Sequence, residues 1–151
     1  MEKKRVAVGG TFEPLHEGHR AILKKAYELG EVYIGLTSDA MADRRYRKVL
    51  PYWRRKKALE QYVHQGFGII PNIQKIHDPY GPTIDEHFDY IVISPDTYPV
   101  AMEINQIREK KGLRPIEAIK IDFVLAQDGK PISSTRIKNG EIDEHGVLLH
   151  K

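Results

Sequence analysis

The stretch at residues 6–19, VAVGGTFEPLHEGH, constrains the fold of this chain more than any other. A short apolar run, Val6-Ala7-Val8, ends in Gly9-Gly10. Thr11, Phe12 and Pro14 make a tight connection, and His16 and His19 then straddle Gly18. From Arg20 the pattern turns helical, with Ala21, Ile22, Leu23, Ala26 and Leu29 on one broad face. The segment reads strand, glycine-rich turn, helix. A helix start carries unpaired N–H groups and the positive end of the dipole, which suits an anion. Histidines at i and i+3 project to the same side there. Gly18 between them is expected to leave room for a flat ligand against the backbone.

The same alternation continues downstream. Residues 31–36, EVYIGL, read as a second strand, followed by Thr37-Ser38-Asp39 capping a short helix. Pro51 suits the first turn of a helix reaching about Gln65, with Ala58, Leu59, Tyr62 and Val63 inward. Residues 69–76 form a third strand, which Pro71 makes irregular or an edge. The unbroken apolar centre of 89–94, DYIVIS, predicts a fourth strand buried on both faces. A helix over 100–111 ends at Gly112, and 116–125 form the fifth strand. After a turn at Asp128-Gly129, Ser133-Ser134 cap a last helix that Gly140 closes. Strands alternating with helices imply one α/β domain over residues 1–151. Its fold would be a single-domain, Rossmann-like, five-stranded, mostly parallel sheet with helices on both faces. Ligands bind beyond the carboxyl ends of such strands. The loops after all five strands are therefore expected to meet at one rim.

Composition narrows the setting. Apolar residues at 40% and charged residues at 30% describe a globular protein, and no run approaches a membrane span. The N-terminus moves straight into a strand without the apolar segment of a signal peptide. The chain has no cysteine, so neither a disulfide framework nor a thiolate metal site is available, and the cytoplasm is the default compartment. Net charge is only +3, yet residues 44–57 carry eight basic residues and no acid. That run is either a solvated face or a site for a phosphate-rich partner. Tyr46, Tyr52 and Trp53 interleave with it, so nucleic acid is a second class of partner to weigh, although no RNA- or DNA-binding motif accompanies them.

GGTFEPLHEGH resembles the H-x-G-H signature of the nucleotidyltransferase superfamily, and residues 132–137, ISSTRI, resemble its second signature. The pair, at opposite ends of one short chain, is similar to the archaeal form of the phosphopantetheine adenylyltransferase family. The resemblance implies transfer of AMP from ATP to 4′-phosphopantetheine, giving dephospho-CoA and pyrophosphate in coenzyme A biosynthesis. It also implies magnesium carried with ATP, no protein metal ligands, and no nucleic acid or membrane partner. CoA itself is a further expected ligand, and oligomeric state is left open. Nicotinamide mononucleotide adenylyltransferases and cytidylyltransferases share both signatures and remain alternatives.

By the same resemblance, His16 and His19 contact the reacting phosphates, with Lys48 and Arg136 completing the catalytic set. ATP is expected on Gly9, Gly10, Thr11, Phe12, His19, Ser94, Thr97, Ser133, Ser134, Thr135 and Arg136. The acceptor is expected on Thr11, Lys48, Arg55, Asp78 and Tyr80. Physical argument supports Arg55 in part. A cation in a helix's first turn opposes the dipole, and a bound anion would relieve that cost. A solvated Arg55 stays open at this level. Two departures from the family pattern stand out. Glu13 replaces the more usual aspartate, and Ser94-Pro95-Asp96-Thr97 replaces the arginine-containing loop of the bacterial enzymes. His77, Asp78, Tyr80 and Thr83 match the archaeal DPYGPT loop, either as ligand contacts or as residues that shape the loop.

Overall fold

The computed structural model describes residues 3–43 and 48–149. Arg44–Arg47 of the basic run, Tyr46 among them, lie outside the described residues. The elements in order are β1 (Arg5–Gly10), α1 (Glu17–Leu29), β2 (Glu31–Thr37), α2 (Asp39–Ala42), α3 (Tyr52–Phe67), β3 (Asn72–Ile76), β4 (Tyr90–Ile93), α4 (Tyr98–Lys110), β5 (Glu117–Lys120) and α5 (Ser134–Lys138). A short 3₁₀ turn, Gly81–Ile84, precedes β4.

Every strand pair is parallel, and the order across the sheet is β3-β2-β1-β4-β5. The chain therefore winds outward from β1 to β3, returns, and winds the other way through β4 and β5. The reversal lies between β1 and β4, which opens a crevice beyond their carboxyl ends. One face of the sheet packs Val6, Val8, Ile34 and Leu36 against Leu23 and Ala26 of α1 and Leu59 and Val63 of α3. The other packs Ala7, Ile91 and Ile93 against Ala101 and Ile104 of α4. Helices thus cover both faces, and the buried centre of β4 is as its composition requires.

Three expectations change in detail. The strand after Pro71 begins only at Asn72 and is an edge, as proline demands. The fifth strand stops at Lys120 rather than Leu125, because its sole partner, β4, ends at Ile93. Beyond a last bond from Ile121 N–H to the Ile93 carbonyl, 2.7 Å, the chain leaves β4 and turns back on itself, Leu125 bridging Pro131. Ala58 is exposed, because the buried row of α3 runs at four-residue spacing through Arg55, Leu59 and Val63.

Candidate active site

The crevice at the β1/β4 reversal holds a cavity of about 260 Å³. Its floor is Val8–Phe12 as β1 ends. One wall is the start of α1 with His16, Gly18 and His19, and another is Ser94, Asp96 and Thr97 after β4. The third wall is Ile121–Val124 with Ile132–Thr135. Two motifs more than a hundred residues apart in sequence thus share one cavity. They are also joined directly. The Ser134 hydroxyl donates to the Pro14 carbonyl at 3.2 Å, and Lys138 Nζ reaches Glu13 Oε1 at 2.7 Å. Glu13 therefore anchors the two motifs to each other, a role invisible while its partner lies 125 positions away.

The histidines have a geometry that fixes their chemistry. His16 is the N-cap of α1, where Ser, Thr, Asp or Asn is usual. Gly18 N–H donates to His16 Nδ1 at 3.0 Å, and His16 N–H donates to His19 Nδ1 at 3.2 Å. The pair forms a reciprocal capping box built from two imidazoles, with ring centroids 3.9 Å apart. A nitrogen that accepts a hydrogen bond carries no proton. In the neutral rings the proton is therefore on Nε2 of both, so each ring presents an N–H donor. Gly18 contributes differently from the expectation of open space. A Cβ there would lie 2.7 Å from His16 Cε1 and 2.9 Å from His16 Nδ1, so the vacancy is filled by the His16 ring. Phe12 holds a left-handed backbone, φ +52°, unusual for a bulky residue. Its buried ring lies 5.1 Å from that of His19.

On the opposite wall Ser133 caps α5, its Oγ accepting from Arg136 N–H at 3.2 Å. At five residues α5 is too short for much macrodipole, so this wall acts through hydroxyl and amide donors.

Several expected site residues lie elsewhere. Arg136 does not line the cavity. Its guanidinium is held by Asp128, by Glu141 at 3.2 Å and by the Pro131 carbonyl at 3.1 Å, bracing the turn that delivers Ser133. The Arg136 hydrogen bond and, after it, one from the Lys130 N–H hold the Asp128 carboxyl below the usual carboxylate range. A carboxylate lowered in the folded state stabilises fully above its ordinary value, near 3.8, and loses that contribution as pH falls through the folded one. The Tm difference between the native chain and Asp128→Asn is thus expected to shrink as pH drops from about 6 to about 2. Calorimetry at stepped pH checks this, and a constant difference would contradict it.

Lys48 is exposed and also outside the cavity. Arg55 is neither solvated nor in the cavity. It is fully buried, donating to the Leu50 carbonyl, to Thr37 and to Asp39. Asp78 accepts from the N–H groups of Tyr80 and Gly81 at 2.9 and 2.8 Å, and Tyr80 OH donates to Glu103 at 2.8 Å. Thr83 bonds the Tyr80 carbonyl, while His77 is exposed. Asp78, Tyr80 and Thr83 thus make hydrogen bonds within and beside their loop. With every strand parallel, all five loops lie at one end of the sheet. Those after β1, β4 and β5 line the cavity, the loop after β2 meets it through the Thr37–Thr11 contact, and the loop after β3 borders a separate pocket of about 50 Å³. Sequence reading also missed Asp122 and Phe123, because 121–125 looked like strand, and it noted Asp96 only as part of the departure at residues 94–97 without assigning it to the site. No group of three or more His, Asp or Glu side chains among the described residues is placed to hold a metal ion.

The sequence pattern of the cytidylyltransferase-like family matches residues 7–140, which span both walls of the cavity. The chain belongs to that family. Among its cytidylyltransferase-like relatives, the phosphopantetheine adenylyltransferase of Archaeoglobus fulgidus is 52% identical over 96% of this chain and 99% of its own. That of Methanosarcina acetivorans is 51% identical over 95% of each. A crystal structure of an Archaeoglobus fulgidus protein described as of unknown function superposes with a TM-score of 0.76 at 49% identity, covering 78% of this chain and 89% of that one. Membership in the cytidylyltransferase-like family agrees with the superfamily resemblance carried by H-x-G-H and ISSTRI.

Proposed function

We propose that the chain transfers AMP from ATP to 4′-phosphopantetheine, forming dephospho-CoA and releasing pyrophosphate. The observation that carries this is the shared cavity, with two Nε2–H imidazoles on one wall and Ser133, Ser134 and Thr135 on the other. Relatives at about half identity over nearly the whole chain bear the name of that activity. In the reaction an oxygen of the acceptor's phosphate attacks the α-phosphorus, and the bond to the bridging oxygen of the β-phosphate breaks. Pyrophosphate leaves with the electron pair. The protein forms no covalent intermediate. Its work is to align the two anions and to meet charge that grows on the α-phosphate and the leaving group. His16 and His19 supply donors on one side of the phosphorus. On the other, the Ser133 and Thr135 hydroxyls with the backbone amides of that segment grip the β and γ groups, the Ser134 hydroxyl being committed to the Pro14 carbonyl.

Magnesium bound with ATP would neutralise phosphate oxygens. The cavity suits an ion held by phosphates and water, since its lining carboxylates, Asp96 and Asp122, are few and exposed. The cytoplasm is the compartment we propose, on the chain's lack of cysteine. No helix among the described residues is long and apolar enough to cross a membrane.

Acceptor identity is tested by pyrophosphate release with ATP and, in parallel, 4′-phosphopantetheine, nicotinamide mononucleotide or flavin mononucleotide. Turnover is expected only with the first. Turnover with another acceptor alone would replace the substrate and leave the adenylyl-transfer chemistry.

A further inference from the structure

Beneath Thr11 lies a buried polar chain that the mechanism above does not use. Thr11 Oγ1 and Thr37 Oγ1 are 3.0 Å apart, Arg55 Nη1 donates to Thr37 Oγ1 at 3.2 Å, and Arg55 Nη2 donates to Asp39 Oδ1 at 3.0 Å. Arg55 is completely buried, and both threonines are nearly so. The direction of the hydroxyl bond follows from counting protons. Arginine only donates, so Thr37 Oγ1 accepts from it. If Thr11 also donated to Thr37, the Thr37 hydrogen would be buried without an acceptor, since among the described residues Thr37 Oγ1 has only these two partners. An unmade buried hydrogen bond is costly. Thr37 therefore donates to Thr11. The Thr11 oxygen is then occupied as an acceptor, and its own hydrogen is directed to whatever fills the cavity that Thr11 lines.

We infer that Arg55 and Thr37 are positioning residues that act through Thr11, orienting its hydroxyl as a hydrogen-bond donor to a phosphate oxygen in the cavity. This rests on the adenylyl-transfer reading, and it replaces direct acceptor contact as the role of Arg55. The arginine's charge adds to the effect, because a polarised Thr37 hydroxyl is a stronger donor and strengthens the next bond in the line.

The test is a double-mutant cycle in the full chain, read as kcat/KM for pyrophosphate release with ATP and 4′-phosphopantetheine. Thr37→Val keeps shape and removes the hydroxyl. It is expected to lower kcat/KM by about 10- to 100-fold, the worth of one bond to a charged group, and Thr37→Ser restores most of that loss. Thr11→Val gives a loss of the same order, and adding Thr37→Val to it costs nothing further. Thr37→Ala serves in the same cycle if the valine variant does not fold. Two losses that multiply would overturn the orienting role while AMP transfer by the unmodified chain still stood. Absence of transfer in the unmodified chain would instead overturn the functional reading. The same cycle, read by calorimetric binding of magnesium–ATP, then decides the orienting role, and again the Thr37 effect must vanish without the Thr11 hydroxyl.

Discussion

Replacing His19 with alanine is expected to cut turnover by at least about a hundredfold and to leave the chain folded. Two separate losses contribute. The variant removes one Nε2–H donor from the cavity, and a missing donor to developing charge costs about 3–4 kcal/mol of barrier. It also removes the acceptor for His16 N–H, one half of the capping box at the start of α1. A lost cap costs about 1 kcal/mol, which lowers Tm by roughly 2–4 °C in a domain of this size. The larger effect is on rate, and the smaller on stability. His16→Asn separates the two, since asparagine caps helices well but has no imidazole. Its Tm is expected within a degree or two of the native value, about the precision at which a retained cap is recognised, with turnover depressed as in the alanine variant. Steady-state pyrophosphate release and scanning calorimetry supply both numbers. Near-native turnover in His19→Ala would remove the histidines from the mechanism.

These contrasts show which parts of the molecule were legible in one dimension. Strand, Gly9-Gly10, H-x-G-H and helix are contiguous, and their meaning depends on local backbone geometry. The edge position of β3 follows from Pro71 for the same reason. What could not be read is whatever depends on a partner far along the chain. Glu13 needs Lys138, Arg136 needs Asp128 and Glu141, and Arg55 needs Thr37 and Asp39. A basic residue near a phosphate motif looks like a ligand contact until its hydrogen-bond partners are counted. Arg55 did carry one readable sign: it is four residues before Leu59 and eight before Val63, on the row that α3 buries.

The second large effect is expected from the smallest substitution, Gly18→Ala. An added Cβ lies 2.7 Å from His16 Cε1, closer than carbon atoms approach, so the imidazole must rotate away from Gly18 N–H. Rotation breaks the bond that holds the proton on Nε2, and it withdraws that donor from the cavity. Turnover is therefore expected to fall by about two orders of magnitude, as for loss of the donor itself. Stability moves little, because two terms oppose. The broken cap costs about 1 kcal/mol, whereas alanine in place of glycine favours the helix by about 0.5–1 kcal/mol. The pairing of an unchanged Tm with a collapsed rate distinguishes this from general damage to the fold. Imidazole nitrogen NMR gives an independent check: the native chain should show both rings as the Nε2–H form, and His16 alone should change in the variant. A Gly18→Ala chain with native turnover would mean that the orientation of His16 does not govern the reaction, whatever its distance from the phosphates.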